Sequence, residues 1–448
     1  MRLSEFKHYA KELLHIAMPI IMGNLGFIMI GAGDVLIAGR HSTDTLAAIS
    51  IATAISNCIM TFGIGLIASV SPLLSNYRGE KQSAKKYFFP TIRFAMILAF
   101  IIMFAVLACV PLIDYLKFEP QLVRPIKEYM IITAFSTFGA YLHAALKEFL
   151  QAFEIVFLPN IVTVISVFLN LILNAILVFG FGPIPSLGAI GLAIASFTVR
   201  YFMGFVLLWY CFRLMKFRNY KQDREYFKNL LKIGMPISFA ILIEFVAFNC
   251  VAIIMGRVSG VYAAAQNLVC TLTTVSFMVP LAISNAIAVK VGFANGSQNL
   301  TELRRYAYIG LGMAVGFMAV SSVFFASFPE FLVGLFTSDD ALIKISVPVL
   351  YVLSMFQIFD GLQVSLSGIF KGMKKTGIVM VSNFVGYWMI SIPLGYTLAF
   401  KYNMNIMGFW YGLVCAAIIL CTIMLVILRK YINDMKKNLD FVRIAEEY

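Results

Sequence analysis

Of the 448 residues, 61% are hydrophobic and only 13% charged, with a mean hydropathy of +0.88; a soluble domain carries about 25% charged residues, so a water-soluble globular fold is excluded. The 35 Lys and Arg outnumber the 22 Asp and Glu for a net charge of +13. These basic residues fall in short breaks between apolar runs, which fits membrane orientation rather than a nucleic-acid surface, and no nucleic-acid partner is expected.

The N-terminal segment MRLSEFKHYAKELLHIAMP is basic and amphipathic and has no small-residue cleavage site, so the first span is expected to stay in the mature protein. Apolar runs follow near 13–38, 46–74, 88–113, 126–150, 157–181 and 188–212, and again near 230–256, 261–291, 305–328, 342–367, 377–400 and 406–429. Each is long enough to cross about 30 Å of hydrocarbon as a helix rising 1.5 Å per residue. The expectation is an all-α polytopic membrane protein of twelve transmembrane helices. Alternate loops are rich in Lys and Arg, beginning with Arg78, Lys81, Lys85 and Lys86, which puts both termini in the cytoplasm.

A charged side chain near the bilayer centre costs about 2.5–3.5 kcal/mol, so each carboxylate inside a run calls for an explanation. In the first run Asp34 follows Gly23, Gly26, Gly31 and Gly33. It either snorkels to the outer interface or belongs to a cation site, because a carboxylate in low dielectric can exchange a proton or be held ionised by a bound cation. At the end of the fourth run His143, Lys147 and Glu148 are expected at the cytoplasmic interface. The fifth run carries Asn170 and Asn174, four apart and therefore on one helix face. The sixth offers Ser196 and Thr198, with Arg200 near its middle. Asp34, two amide carbonyls and a hydroxyl would form a hard, oxygen-only site of net charge minus one, suited to Na⁺. The amides could instead bridge neighbouring helices.

The basic stretch 213–229 reads as a cytoplasmic linker between an N-lobe, 1–212, and a C-lobe, 230–448, that includes a cytoplasmic tail. In the seventh run Glu244 interrupts an apolar sequence, and in the tenth Asp360 does so with Gln357 and Gln363 three residues to either side, expected on one face. The seven cysteines form no CxxC pair and read as packing residues. None of the four histidines opens an HExxH, which argues against an intramembrane metalloprotease. The chain is not expected to be an enzyme.

The two halves repeat. At an offset of 217 residues LLHIAMPI (13–20) falls on LLKIGMPI (230–237), Gly39-Arg40 on Gly256-Arg257, Ser42 on Ser259 and Gly79 on Gly296. Six spans per half make this a parallel repeat, an arrangement found in transporters.

These residues also carry a family resemblance. MPIIMGNLGFIMIGAGDVLIAGR in the first run, the paired LLHIAMP and LLKIGMP openings, Asn170 with Asn174, Glu244, and FQIFDGLQVSLSGIFKGMKK around Asp360 resemble the multidrug and toxic compound extrusion (MATE) transporters, in particular their NorM-like branch. The resemblance covers nearly the whole chain. It implies a V-shaped pair of pseudo-symmetric six-helix lobes in the bacterial inner membrane, acting as a monomer without a cofactor. The activity implied is exchange of inward Na⁺ or H⁺ for outward small organic cations. It further implies an N-lobe cation site at Asp34, Asn170, Asn174 and Ser196, with Glu244 and Asp360 serving cation coupling or substrate binding in the C-lobe, where Gln357 and Gln363 flank them. One departure stands out: a Tyr that NorM-like proteins can carry one turn before the second-half Asp is Phe356 here, which removes a phenol oxygen and favours the N-lobe for the ion. A flippase for lipid-linked oligosaccharides is the alternative within the superfamily. Its cleft is usually more cationic, and Arg200 is the one deep basic residue found here. Sequence does not exclude a passive channel.

Overall fold

A chain that must cross hydrocarbon has to satisfy its backbone polar groups within itself, and the helix is the solution open to an apolar run of this length. The structure, a computed structural model, describes residues 3–183, 185–214 and 224–446. Among them are twelve helices long and apolar enough to span a membrane, at the twelve positions expected. They are α1 (Ser4–His41), α2 (Thr43–Gly79), α3 (Ala84–Leu116), α4 (Pro120–Ala152), α5 (Phe157–Phe179) and α6 (Gly188–Arg213), followed by α7 (Arg224–Val258), α8 (Gly260–Gly296), α9 (Leu300–Ser327), α10 (Asp340–Gly372), α11 (Thr376–Lys401) and α12 (Asn405–Lys437). No β-sheet occurs among the described residues. Several helices start earlier or end later than the apolar runs, because polar and amphipathic turns continue the helix past the hydrocarbon.

The repeated residues do matching work in both halves. Ser42 caps the start of α2 by accepting from the Thr45 N–H at 3.0 Å, and Ser259 caps α8 by accepting from the Val261 N–H at 3.3 Å. Such caps satisfy donors that a helix start leaves orphaned. Pro19 and Pro236 occupy matching places inside α1 and α7. In α11 the backbone widens into π-helical turns over Phe384–Ser391 and Thr397–Lys401, a distortion often found at functional sites. Seven cysteines are free thiols.

The helices sort into two compact units. The first comprises Met18–Leu74 and Ser83–Ser238; the second comprises Met1–Ala17, Ser75–Gln82 and Phe239–Tyr448. Most of the expected linker, 215–223, lies outside the described residues. Within the first unit α1 lies on α5 through glycine: a Cβ on Gly23 would stand 2.0 Å from Asn160 Oδ1 and one on Gly33 2.7 Å from Leu171. Within the second unit the repeat-related glycines at the ends of α2 and α8 sit back to back. A Cβ on Gly79 would meet the Phe293 carbonyl at 2.1 Å, and one on Gly296 the Asn76 carbonyl at 2.0 Å. Asn76 ties this crossing together, donating to the Gly372 carbonyl at 2.8 Å while its own amide oxygen accepts from Asn295 at 2.6 Å.

Candidate functional site

In the first unit, α1, α5 and α6 bring four of the predicted residues to one place. Asn174 Nδ2 donates to Asp34 Oδ1 at 2.6 Å and to Asn170 Oδ1 at 3.0 Å, and Ser196 Oγ donates to Asp34 Oδ2 at 3.1 Å. Both asparagines are fully buried, whereas Asp34 and Ser196 are half-buried. The four-residue spacing of Asn170 and Asn174 stacks their amides, and the glycine face of α1 lets the Asp34 carboxylate reach them. Asn170 Nδ2 and Asn174 Oδ1 are buried without a partner, so the cluster keeps an unused donor and an unused acceptor.

Thr198, weighed beside Ser196, points elsewhere: its hydroxyl donates to the Ile194 carbonyl at 2.8 Å and is exposed. Two residues along a helix are about 200° apart, so both hydroxyls could not join one site. Arg200 does come close. Its Nη1 donates to Ser136 Oγ at 2.6 Å and approaches Met60 Sδ at 3.9 Å, and the guanidinium lies within electrostatic range of Asp34. Tyr129 and Ser136 of α4, both buried, were not singled out from sequence. Tyr129 is within reach of Thr53 and within range of both charges. The available signal was their spacing of seven, with Thr133 between, which lays a polar stripe along one face of α4. Also on α4, His143 is buried with Nε2 unpartnered, while Lys147 and Glu148 are half-buried.

In the second unit α7, α10 and α11 assemble a different cluster. Gln363 Nε2 donates to Asn383 Oδ1 at 3.2 Å and to the Tyr387 hydroxyl at 3.3 Å, and that hydroxyl is within hydrogen-bond reach of the half-buried Glu244. Asp360, 4% exposed, lies within electrostatic range of Glu244. Asn383 Nδ2 donates to the Ala240 carbonyl at 3.4 Å and Trp388 Nε1 to the Ile243 carbonyl at 3.1 Å, which fixes α11 against α7 beside Glu244. Gln357 is fully buried, and neither of its amide atoms has a partner. It therefore does not share a network with Gln363. Phe356 packs edge-on to Trp410, with centroids 5.9 Å apart, and Trp410 Nε1 donates to Gln266 Oε1 at 3.0 Å. Phe356 thus brings no oxygen to this cluster, and the phenol beside Glu244 is that of Tyr387, from the π-helical part of α11, which sequence reading missed.

Among the described residues no group of three or more His, Cys, Asp or Glu could hold a metal ion. The polar chemistry around Asp34 and around the neighbouring Glu244 and Asp360 is hydrogen-bonding oxygen and nitrogen. The sequence pattern of the MatE family matches residues 19–176 and 236–397. This chain belongs to the MatE family. MatE members are membrane transporters, so the chain is a multi-pass transporter and not an enzyme. The two MatE matches begin at Pro19 and Pro236, the offset of the internal repeat. A probable multidrug resistance protein NorM of Bacillus subtilis is 27% identical over 416 residues, spanning 90% of this chain and 92% of that protein. One of Rhizobium meliloti is 29% identical over 421 residues, spanning 90% and 89%. A crystal structure of a mutant of the Vibrio cholerae MATE transporter VcmN has a TM-score of 0.89 at 18% identity, covering 96% of this chain and 98% of that one, a likeness of fold. Asp34, Asn170 and Asn174 fall in the first MatE match and Glu244, Asp360 and Tyr387 in the second, whereas Ser196 and Arg200 fall in neither.

Proposed function

We propose that this chain is an antiporter that exports small organic, chiefly cationic, drugs or toxic compounds in exchange for an inward cation, with Na⁺ favoured and H⁺ the alternative. One observation carries the ion site: Asp34 Oδ1 and Asn170 Oδ1 both face a single point, taken by the Asn174 amide nitrogen at 2.6 and 3.0 Å, while Asn174 Oδ1 has no partner. Turning that amide over withdraws the N–H groups and puts its oxygen at that point, so that three oxygens crowd together and a cation seated among them relieves their repulsion. A cation there meets a carboxylate, two amide oxygens and the Ser196 hydroxyl, the hard donor set an alkali ion prefers. Ion occupancy favours one conformation and substrate another, and the coupling is the difference of those affinities.

The NorM relatives, named as probable multidrug resistance proteins, support the substrate class. Glu244, Asp360, Gln357 and Gln363 are candidates for a second cation or substrate site, with Tyr387 added beside Glu244. The protein is assigned to the bacterial cytoplasmic membrane as a monomer with both termini inside, and residues 1–212 and 230–448 act as lobes joined by 213–229. The test is efflux of the fluorescent cation ethidium from proteoliposomes, first under a Na⁺ gradient at constant pH, then under a pH gradient without Na⁺. Response to one gradient identifies the ion. Efflux indifferent to both gradients refutes antiport.

A further inference from the structure

Arg200 is a costly residue that the proposed ion site does not use. It stands near the middle of α6, where α6 and α4 touch through their backbones: a Cβ on Gly139 would lie 2.7 Å from the Tyr201 nitrogen and 2.9 Å from the Arg200 carbonyl carbon. Gly204 packs against the Gly139 carbonyl in the same crossing, and the Tyr201 hydroxyl donates to the Phe135 carbonyl at 3.1 Å. The base of the Arg200 side chain is therefore held rigidly. Its guanidinium bonds to a neutral hydroxyl, Ser136 at 2.6 Å, and to the Met60 sulfur at 3.9 Å; no described carboxylate pairs with it directly. An arginine charge in low dielectric is disfavoured unless something compensates it. Asp34 lies within electrostatic range, and Ser196, which holds Asp34, precedes Arg200 by one turn on the same face of α6. The four-residue step between them rises about 6 Å along the axis. A unit charge within about 12 Å, at an effective dielectric of about 20, changes a cation's affinity tenfold or more.

The formal charges of Asp34 and Arg200 cancel. A coupling cation that binds Asp34 thus enters a neutral pocket rather than an anionic one. We propose that Arg200 is a built-in counter-charge to Asp34 that keeps the coupling cation loosely held and speeds its release. This rests on the reading of Asp34 as the ion site. It makes Arg200 a positioning residue whose removal strengthens a binding step, an effect that structural damage does not produce.

The experiment is equilibrium binding of radioactive ²²Na⁺ to the purified full-length protein, comparing wild type, Asp34→Asn, Arg200→Gln, Arg200→Met and Arg200→Lys, with a thermal melt of each. Arg200→Gln and Arg200→Met are expected to bind Na⁺ about tenfold more tightly than wild type. In proteoliposomes they should show a lower half-saturating Na⁺ concentration and a slower maximal efflux. Arg200→Lys, which keeps the charge, should stay near wild type. Asp34-dependent Na⁺ binding that is unchanged or weaker in whichever neutral variant melts like wild type overturns the counter-charge. Na⁺ binding that does not depend on Asp34, or no binding at all, overturns the reading of Asp34 as a Na⁺ site and this proposal with it.

Discussion

Replacing Asp34 by Asn separates an ion site from a structural knot, because the first loses cation binding at a small cost in stability whereas the second loses stability. The Asp34 carboxylate accepts two hydrogen bonds, from Asn174 at 2.6 Å and Ser196 at 3.1 Å. Asn keeps the shape and one acceptor, and the Ser196 hydroxyl can rotate to accept from the new amide. The loss is the difference between charge-assisted and neutral bonds, about 1–3 kcal/mol for the pair. Removing a charge from inside the membrane returns about 2.5–3.5 kcal/mol, and leaving Arg200 without its counter-charge costs a similar amount, so the net loss of folding stability should stay near the hydrogen-bond difference of about 1–3 kcal/mol. Cation binding, by contrast, loses the one formal negative charge of its ligand set. At 4 Å and an effective dielectric of about 20 that is worth about 4 kcal/mol, close to a thousandfold in affinity. The measurements are gradient-driven ethidium efflux in proteoliposomes and a thermal melt of the same preparation. Full-rate efflux by Asp34→Asn, or a melt collapsed far below wild type, would refute the assignment, the second because it marks Asp34 as a structural tie.

Asn174→Leu leaves Asp34 Oδ1 without its donor and should destabilise the protein by about 1.5–3 kcal/mol while also abolishing Na⁺ binding; in the double variant with Asp34→Asn the two melting shifts should not add, because the residues share one hydrogen bond. Tyr387→Phe removes the phenol shared by Gln363 and Glu244, so it should cost about 0.5–1.5 kcal/mol and alter the half-saturating ethidium concentration without altering Na⁺ affinity at Asp34; a shifted ²²Na⁺ isotherm would count against separate sites. Gly296→Ala drives a methyl into the Asn76 carbonyl and should destabilise by about 1–3 kcal/mol or more, whereas Gly31→Ala, whose new carbon would meet nothing within 4 Å beyond its own stretch of helix, should be neutral or slightly stabilising in the same melt.

Much of this site was legible because helices obey a fixed period. Asn170 and Asn174 share a face by their spacing of four, and an intramembrane Asp among glycines advertises itself by its cost. Spacing also explains what was misread. Gln357 and Gln363 each lie three residues from Asp360, but six residues turn a helix by about 600°, which leaves the two glutamines about 120° apart. Gln363 accordingly joins Asn383 and Tyr387 while Gln357 is buried alone. Ser196 and Thr198 could not be separated until the azimuth of α6 was known. Tyr129, Ser136 and Tyr387 are neutral residues at home in any apolar helix, so their roles rest on which helix each one faces. That information is non-local, as is the packing of residues 1–17 and 75–82 with the second unit while 224–238 pack with the first.

The repeat shows which parts of the sequence are frame and which are chemistry. At the offset of 217 the paired serines both cap helices, the paired prolines both sit inside the opening helix of a half, and the paired glycines Gly79 and Gly296 meet in one crossing. The carboxylates do not repeat. Asp34 falls on Val251, a buried member of the apolar core of the second unit, and Glu244 falls on Phe27, which is 59% exposed. A valine in that core offers no oxygen to a cation, so the second unit cannot hold an ion by the α1 arrangement. Its polar cluster is instead built from α7, α10 and a locally widened α11. A shared frame with unlike polar clusters is what the proposed antiport requires, with ion and substrate recognised by different chemistry within one chain. The same frame predicts that exchanging Asp34 for Val and Val251 for Asp does not move the ion site to the second unit, because Asn170, Asn174 and Ser196 remain behind.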